Sequence, residues 1–158
     1  MYLRRTEIIS MSLEIYTNEY FMKEALKEAE KALQRDEVPI GAVIVTENTI
    51  IARAHNLTES LYDVTAHAEV QAITAASNYL GAKYLTDCKI YVTLEPCVMC
   101  AAALGWSQIS HIIYGATDEK RGFTNFNGNV IHPKTIVKGK IMENECKSIL
   151  LNFFKSKR

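Results

Sequence analysis

The chain has 158 residues, 48% of them apolar and 23% charged, enough for one globular domain with a core of its own. Its 18 basic and 18 acidic side chains cancel, which excludes a bulk attraction to nucleic acid and leaves any such binding to local patches. Cys88, Cys97, Cys100 and Cys146 do not make a disulfide framework, and no apolar run is long enough to span a membrane, so a reducing cytoplasmic setting is expected.

Residues 1–16 read as a loose N-terminal extension, with Met11-Ser12 offering an alternative start, and residues 17–158 as the domain. Thr17 to Arg35 carries Met22, Ala25, Leu26, Ala29, Ala32 and Leu33 at helical spacing among lysines and glutamates. Ala42–Thr46 and Thr49–Ala54 flank Glu47-Asn48 and predict a hairpin. A polar loop leads to a second helix, Ala66 to Leu80, stopped by Gly81. Lys89–Leu94 predicts a buried strand, Cys97–Trp106 an Ala-rich helix with Met99 and Trp106 in the core, and His111–Gly115 a fourth strand. After a Gly/Asn-rich loop, Thr135–Lys138 predicts a fifth strand and Ile141–Phe154 a last helix that buries Met142, Cys146, Ile149, Leu150 and Phe153. This α-β-β-α-β-α-β-β-α order predicts an α/β fold, a partly parallel sheet with helices on both faces. Ligands in such sheets sit where strands end and helices begin.

Two short motifs stand at such places. His67-Ala68-Glu69 opens the second helix, and Pro96-Cys97-Val98-Met99-Cys100 opens the third. Cys97 and Cys100 are three apart, so both thiols reach one metal from a first helical turn, and the helix N-terminus favours their thiolate forms. Pro96 suits a helix start because it lacks the amide donor that would go unused there. With His67 they make three ligands for zinc and leave a fourth position for water, the arrangement of a catalytic site. Glu69 is the carboxylate left to move protons. Two residues on a regular helix are about 200° apart, so Glu69 shares a site with His67 only if His67 has non-helical backbone angles. Asp63 and Thr65 are candidate caps for that start. Cys88 and Cys146 read as small buried hydrophobes, and His55 and His111 as hydrogen-bonded or surface groups.

Thr65-Ala-His-Ala-Glu69 and Tyr91-Val-Thr-Leu-Glu-Pro-Cys-Val-Met-Cys-Ala101, with Glu37-Val-Pro-Ile-Gly-Ala-Val43, Asn56 and Gly115-Ala-Thr-Asp118, resemble the bacterial tRNA-specific adenosine deaminases of the TadA type, in the cytidine/deoxycytidylate deaminase superfamily. The likeness runs from about Tyr20 to Lys155. It implies a cytidine-deaminase-like three-layer α/β/α sandwich around a five-stranded mixed sheet, and conversion of the wobble adenosine of a tRNA anticodon to inosine with release of ammonia. It implies one zinc per subunit on His67, Cys97 and Cys100, with Glu69 as proton shuttle. It also implies substrate contacts from Asn56, Val38, Pro39, Ala68 and Asp118, a tRNA anticodon loop as partner, and a homodimer. Departures fall at Val64, where the family often has proline, at Thr117, where arginine is common, and across Lys120–His132.

Local basic groups offer independent support for RNA: Lys120-Arg121, Lys134, Lys138, Lys140 and the tail Lys155-Ser-Lys-Arg158 beside Phe153-Phe154. His132, next to Pro133, is a candidate phosphate contact. Two other readings stay open. One is a deaminase of a free base or nucleotide such as guanine, cytosine or dCMP. The other is a non-enzyme, either a redox module using Cys97 and Cys100 or a zinc-stabilised binding domain with Cys88 or His55 as fourth ligand.

Overall fold

The protein is described by a computed structural model covering residues 4–7 and 15–158. Most of the expected N-terminal extension therefore lies outside the described residues.

Helix α1 spans Asn18–Gln34 and starts where the Thr17 hydroxyl accepts the Tyr20 amide, a cap of the kind that contributes about 1 kcal/mol. Its stripe of Phe21, Met22, Ala25, Ala29 and Ala32 is buried. Strands β1 (Gly41–Thr46) and β2 (Thr49–His55) pair as an antiparallel hairpin. Both turn residues, Glu47 and Asn48, have positive φ (48° and 62°), as a two-residue type I′ connection requires. Gly41 has no room for a side chain: a Cβ there would overlap the Ala25 carbonyl oxygen and the Ala29 nitrogen of α1. A single hydrogen therefore sets how closely α1 lies on the sheet.

Helix α2 (Ala68–Leu80) ends at Gly81 in the left-handed conformation (φ 63°, ψ 33°). Strand β3 (Lys89–Leu94) leads into α3 (Val98–Ser107), then β4 (His111–Ala116), a short 3-10 turn at Phe123–Asn125, β5 (Ile136–Lys138) and α4 (Glu143–Ser156). The sheet order is β2-β1-β3-β4-β5, with β1 antiparallel to both its neighbours and β3, β4 and β5 parallel.

Alternation along the central strands splits the core in two. Ala42, Ile44, Ile90, Val92 and Ile112 face the alanines of α2 and Ala101 and Leu104 of α3. Val43, Val45, Tyr91 and Ile113 face Phe21, Met22 and Ala25 of α1 and Cys146 of α4. The result is the expected three-layer α/β/α sandwich. Cys88 and Cys146 are buried as expected, and all four cysteines are free. On α4, Cys146, Leu150 and Phe153 are buried, while Met142 and Ile149 are only partly so.

One expectation fails on α3. Met99 is 38% and Trp106 84% exposed, because Cys100, Ala101 and Leu104 turn inward and take the core-facing side. In a helix this rich in alanine, apolar residues surround the axis and do not mark the buried face.

Candidate metal centre

The site lies on one side of the parallel half of the sheet, where two helices start next to each other. His67 is the residue before α2 and has extended angles, φ −73° and ψ 154°. Cys97 holds the same place before α3, with φ −70° and ψ 170°. The backbone at His67 is thus as the spacing to Glu69 requires. The capping differs from expectation: His67 itself is the N-cap residue and its side chain makes no capping bond. The Asp63 carboxylate accepts the amide and hydroxyl of Thr65 instead, a local turn that competes with helix capping. Gln71 steadies the start of α2 from within, its side-chain amide donating to the carbonyls of His55, at 2.7 Å, and Ala66, at 3.1 Å.

Nδ1 of His67 stands 3.7 Å from Sγ of Cys97 and 3.4 Å from Sγ of Cys100, and the three donor atoms lie within 4.8 Å of one another. A tetrahedral ion with bonds of about 2.05 Å to nitrogen and 2.3 Å to sulfur sets nitrogen about 3.6 Å from each sulfur. The two nitrogen–sulfur distances therefore suit zinc. Among the described residues no fourth donor joins the group. His55 is turned to Glu28, its Nδ1 3.3 Å from the carboxylate, so the fourth-ligand reading of His55 has no support in the geometry.

Electrostatics match the chemistry of the donor set. The hydrogen bond from the Cys100 thiol draws Cys97 down to about 4, and His67 lowers it further. The same bond, together with burial, pushes Cys100 up. Contact with Cys97 raises His67. Burial lifts the Glu69 carboxyl to about 7, with the Cys97 charge acting in the same direction and its own backbone amide and His67 opposing. Glu69 is 4% exposed, so this carboxyl is enclosed beside the donors rather than on the outer face of α2.

Residues 15–116 match the family model for the cytidine and deoxycytidylate deaminase zinc-binding region. A tRNA-specific adenosine deaminase of Aquifex aeolicus is 46% identical over 144 residues, spanning 89% of this chain and 95% of its own length. The chain belongs to the tRNA-specific adenosine deaminase family. A structure from a study of A-to-I editing by tRNA:A34 deaminases at the wobble position of transfer RNA superposes with a TM-score of 0.78 at 44% identity, over 83% of this chain and 99% of its own. A guanine deaminase structure from Bacillus subtilis superposes less fully, with a TM-score of 0.61 over 64% of this chain and 65% of its own, at 40% identity.

In this member of the tRNA-specific adenosine deaminase family, the donors open onto a cleft of about 460 Å³. His67 and Cys97 form its floor, and Val64, Met99, Arg121 and Phe126 stand among its walls. Asn56 and Ala68 adjoin the donors: the Asn56 side-chain oxygen accepts the Ala68 amide at 2.9 Å. Asp118 is one step removed, its carboxylate accepting the amides of Lys120 and Arg121, both of which line the cleft. Val38 faces a different hollow, with Arg35, Asp36, Glu59, Phe153 and Lys157, and Pro39 is buried beside it in sequence. His132 lies outside the cleft lining and its Nδ1 accepts the Lys134 amide. Of the basic tail, Lys157 is engaged with Asp36.

Two buried glutamates organise the loops around the site, and sequence reasoning missed both as structural devices. Glu37 accepts the amides of Glu59 and Ser60 and the hydroxyls of Thr58 and Ser60, which pins the loop that delivers His67. Glu95 does the same for the loop after β4. Each stands within two residues of a proline where an element gives way to a loop, an acid next to an apolar segment. Burial alone would raise the Glu37 carboxyl; the bonds from Ser60, Glu59 and Thr58 outweigh it and hold the carboxyl below its usual range. A carboxyl lowered on folding stabilises the fold fully above its unfolded value, about 4.3, and that share is lost as pH falls through the lower folded value. Glu37→Gln is therefore expected to cost about 2 kcal/mol at pH 7, the scale of hydrogen bonds to a charged group. Urea midpoints measured from pH 7 to pH 3 should converge between variant and parent at the acid end.

Proposed function

We propose that this chain is a zinc-dependent hydrolytic deaminase that converts adenosine to inosine at the wobble position of tRNA and releases ammonia. The observation that carries the reading is the triangle of His67, Cys97 and Cys100 beside the enclosed Glu69, in a chain alignable over most of its length with tRNA-specific adenosine deaminases. One zinc ion per subunit is held by these three residues, and when bound it supplies an activated water at neutral pH.

Glu69 moves the protons. Its carboxylate accepts one from the attacking water and delivers one to the ring nitrogen beside the reacting carbon. A second passes to the amino group, which leaves as ammonia, so that adenosine plus water gives inosine plus ammonia. Glu69 is enclosed beside the donors, where its carboxylate can take up and release a proton at the reacting centre. Asn56 has spent its side-chain oxygen on Ala68, so it presents its amide NH₂ to an acceptor on the purine edge. Ala68 shapes the nucleoside pocket beside the donors, whereas Val38 faces the separate hollow and Pro39 is buried next to it in sequence. Asp118 holds the Lys120–Arg121 backbone toward the ribose-phosphate side, and His132 meets a phosphate farther along the strand. Lys120 and Arg121 on the cleft wall supply the local positive charge that the neutral chain as a whole lacks. The target base leaves its stack to enter a cleft of this size.

The protein works as a cytoplasmic homodimer. The exposed Met99 and Trp106 of α3, beside the cleft, support a partner surface there. Among the described residues no helix is long and apolar enough to cross a membrane.

The test is inosine formation in an anticodon stem-loop, run against ammonia release from guanine, cytosine, dCMP and free adenosine. Editing of the stem-loop at its wobble adenosine is expected. Turnover of guanine or cytosine alone would replace the tRNA reading with that of a free-base deaminase.

A further inference from the structure

The wall of the cleft formed by Lys120, Arg121, Asn125 and Phe126 belongs to the stretch between the end of β4 at Ala116 and the start of β5 at Ile136. Among the described residues, Gly122 is the one residue of this stretch that makes a bridge to another strand-like segment, and it does so to Cys97. Phe123 is buried in the core, and one buried side chain ties the two ends of the wall to the end of β3. Glu95 lies between the last residue of β3 and Pro96, and it is 1% exposed. One carboxylate oxygen accepts the Asp118 amide at 3.0 Å, and the other accepts both the amide, at 3.1 Å, and the hydroxyl of Thr124. Asp118 and Thr124 are the two ends of a tight knot: the Gly122 amide donates to the Asp118 carbonyl, and the Asn125 side chain donates to the carbonyls of Asp118 and Glu119. The Phe123 amide donates to the Pro96 carbonyl at 3.0 Å, so the knot and the turn before Cys97 share backbone as well. Gly122 marks how close they run, since a Cβ there would overlap the Glu95 carboxylate and the Asp118 carbonyl oxygen.

We propose that Glu95 is a positioning residue that registers the Asp118–Phe126 wall against the metal-ligand turn and thereby sets substrate affinity, while taking no part in the chemical step. The inference rests on the deaminase reading of the cleft. Its physical basis is that a buried carboxylate accepting three donors has a fixed place, and two residues along the chain that place is Cys97. Wall and metal floor are therefore held at one separation. Loosening one bond lets the wall drift relative to the floor without disturbing the three donors themselves.

Thr124 offers the cleanest handle, because it is exposed apart from its bond to Glu95 and does not line the cleft. Thr124→Val removes the hydroxyl donor and Thr124→Ser restores it; Glu95→Gln confronts the Asp118 amide or the Thr124 donors with an NH₂ group. With the zinc-loaded protein and an anticodon stem-loop, Thr124→Val is expected to raise KM about tenfold, the scale of one lost hydrogen bond to a charged group. Its kcat should stay within about twofold, bound zinc should be unchanged, and Thr124→Ser should return KM to the parent value. Amide hydrogen exchange over residues 118–126, measured without substrate, should accelerate in Thr124→Val and Glu95→Gln but not in Thr124→Ser. Unchanged KM in Thr124→Val, or a fall in kcat at constant KM, overturns the proposal. If the parent itself fails to edit the stem-loop, the functional reading falls, and the exchange data still decide whether Glu95 holds the wall: unaltered exchange in both variants rejects it.

Discussion

Glu69→Gln is expected to bind zinc as the parent does and to lose at least ~10²-fold in kcat, with little change in KM, because general acid–base transfer operates in the transition state and not in binding. The substitution keeps the size and planarity of the side chain inside an enclosed site, so the fold has no void to collapse into. It removes only the capacity to take up and release a proton. Single-turnover editing of an anticodon stem-loop, with metal analysis of the same preparation, separates the two effects. A parental rate in the zinc-loaded variant would remove Glu69 from the proton path and leave the attacking water without a base on this chain.

Removing the metal should have the second large effect. Cys100 is fully buried, and with His67 and Cys97 it closes the donor triangle. Cys100→Ala is expected to purify without stoichiometric zinc and to show no detectable editing. Its melting temperature should no longer respond to added zinc. In the parent, free zinc at about 1,000 times its Kd contributes about 4 kcal/mol to folding, if the unfolded chain binds it poorly. For a domain of this size that corresponds to about 8–16 °C in Tm. Thermal melts of parent and variant with and without a chelator check this directly. Equal zinc-induced shifts in the two proteins would place the metal elsewhere.

Much of this architecture could be read along the chain, because the signals were local. The Glu47-Asn48 turn, the Gly81 stop and the helical spacing of Met22, Ala25, Ala29 and Ala32 each have a short-range cause, and the structure has them all. The metal donors were legible for the same reason: a three-residue spacing and a pair of helix starts bring them together. The His67–Glu69 spacing demanded a non-helical His67 if the two were to share a site, and His67 has extended angles. Other features were not local. The outward turn of Trp106 depends on which side of α3 meets the sheet, and an alanine-rich helix carries no periodic trace of that choice. Asp63 carried the composition of a helix cap yet bonds to Thr65 two residues on, because several short turns compete for one carboxylate. Glu37 and Glu95 look like ordinary acids until their partners arrive from residues 58–60 and 118–124. The placement of Val38 in a separate hollow and of His132 away from the donors likewise depends on how the loops fold back, which no motif records.

The clamp on Glu37 divides the loop ahead of α2 into parts with different freedoms. Residues 58–60 are tied to a buried acid, and Gln71 secures the other end at Ala66. Between the two anchorages, Tyr62 is 98% and Val64 85% exposed. The exposed side chains of Tyr62 and Val64 can be varied while His67 keeps its place, provided Asp63 keeps its turn with Thr65. A laboratory attempt to retarget the protein has at Val64, on the cleft, a position where novelty can be tried at little cost to the metal or the fold.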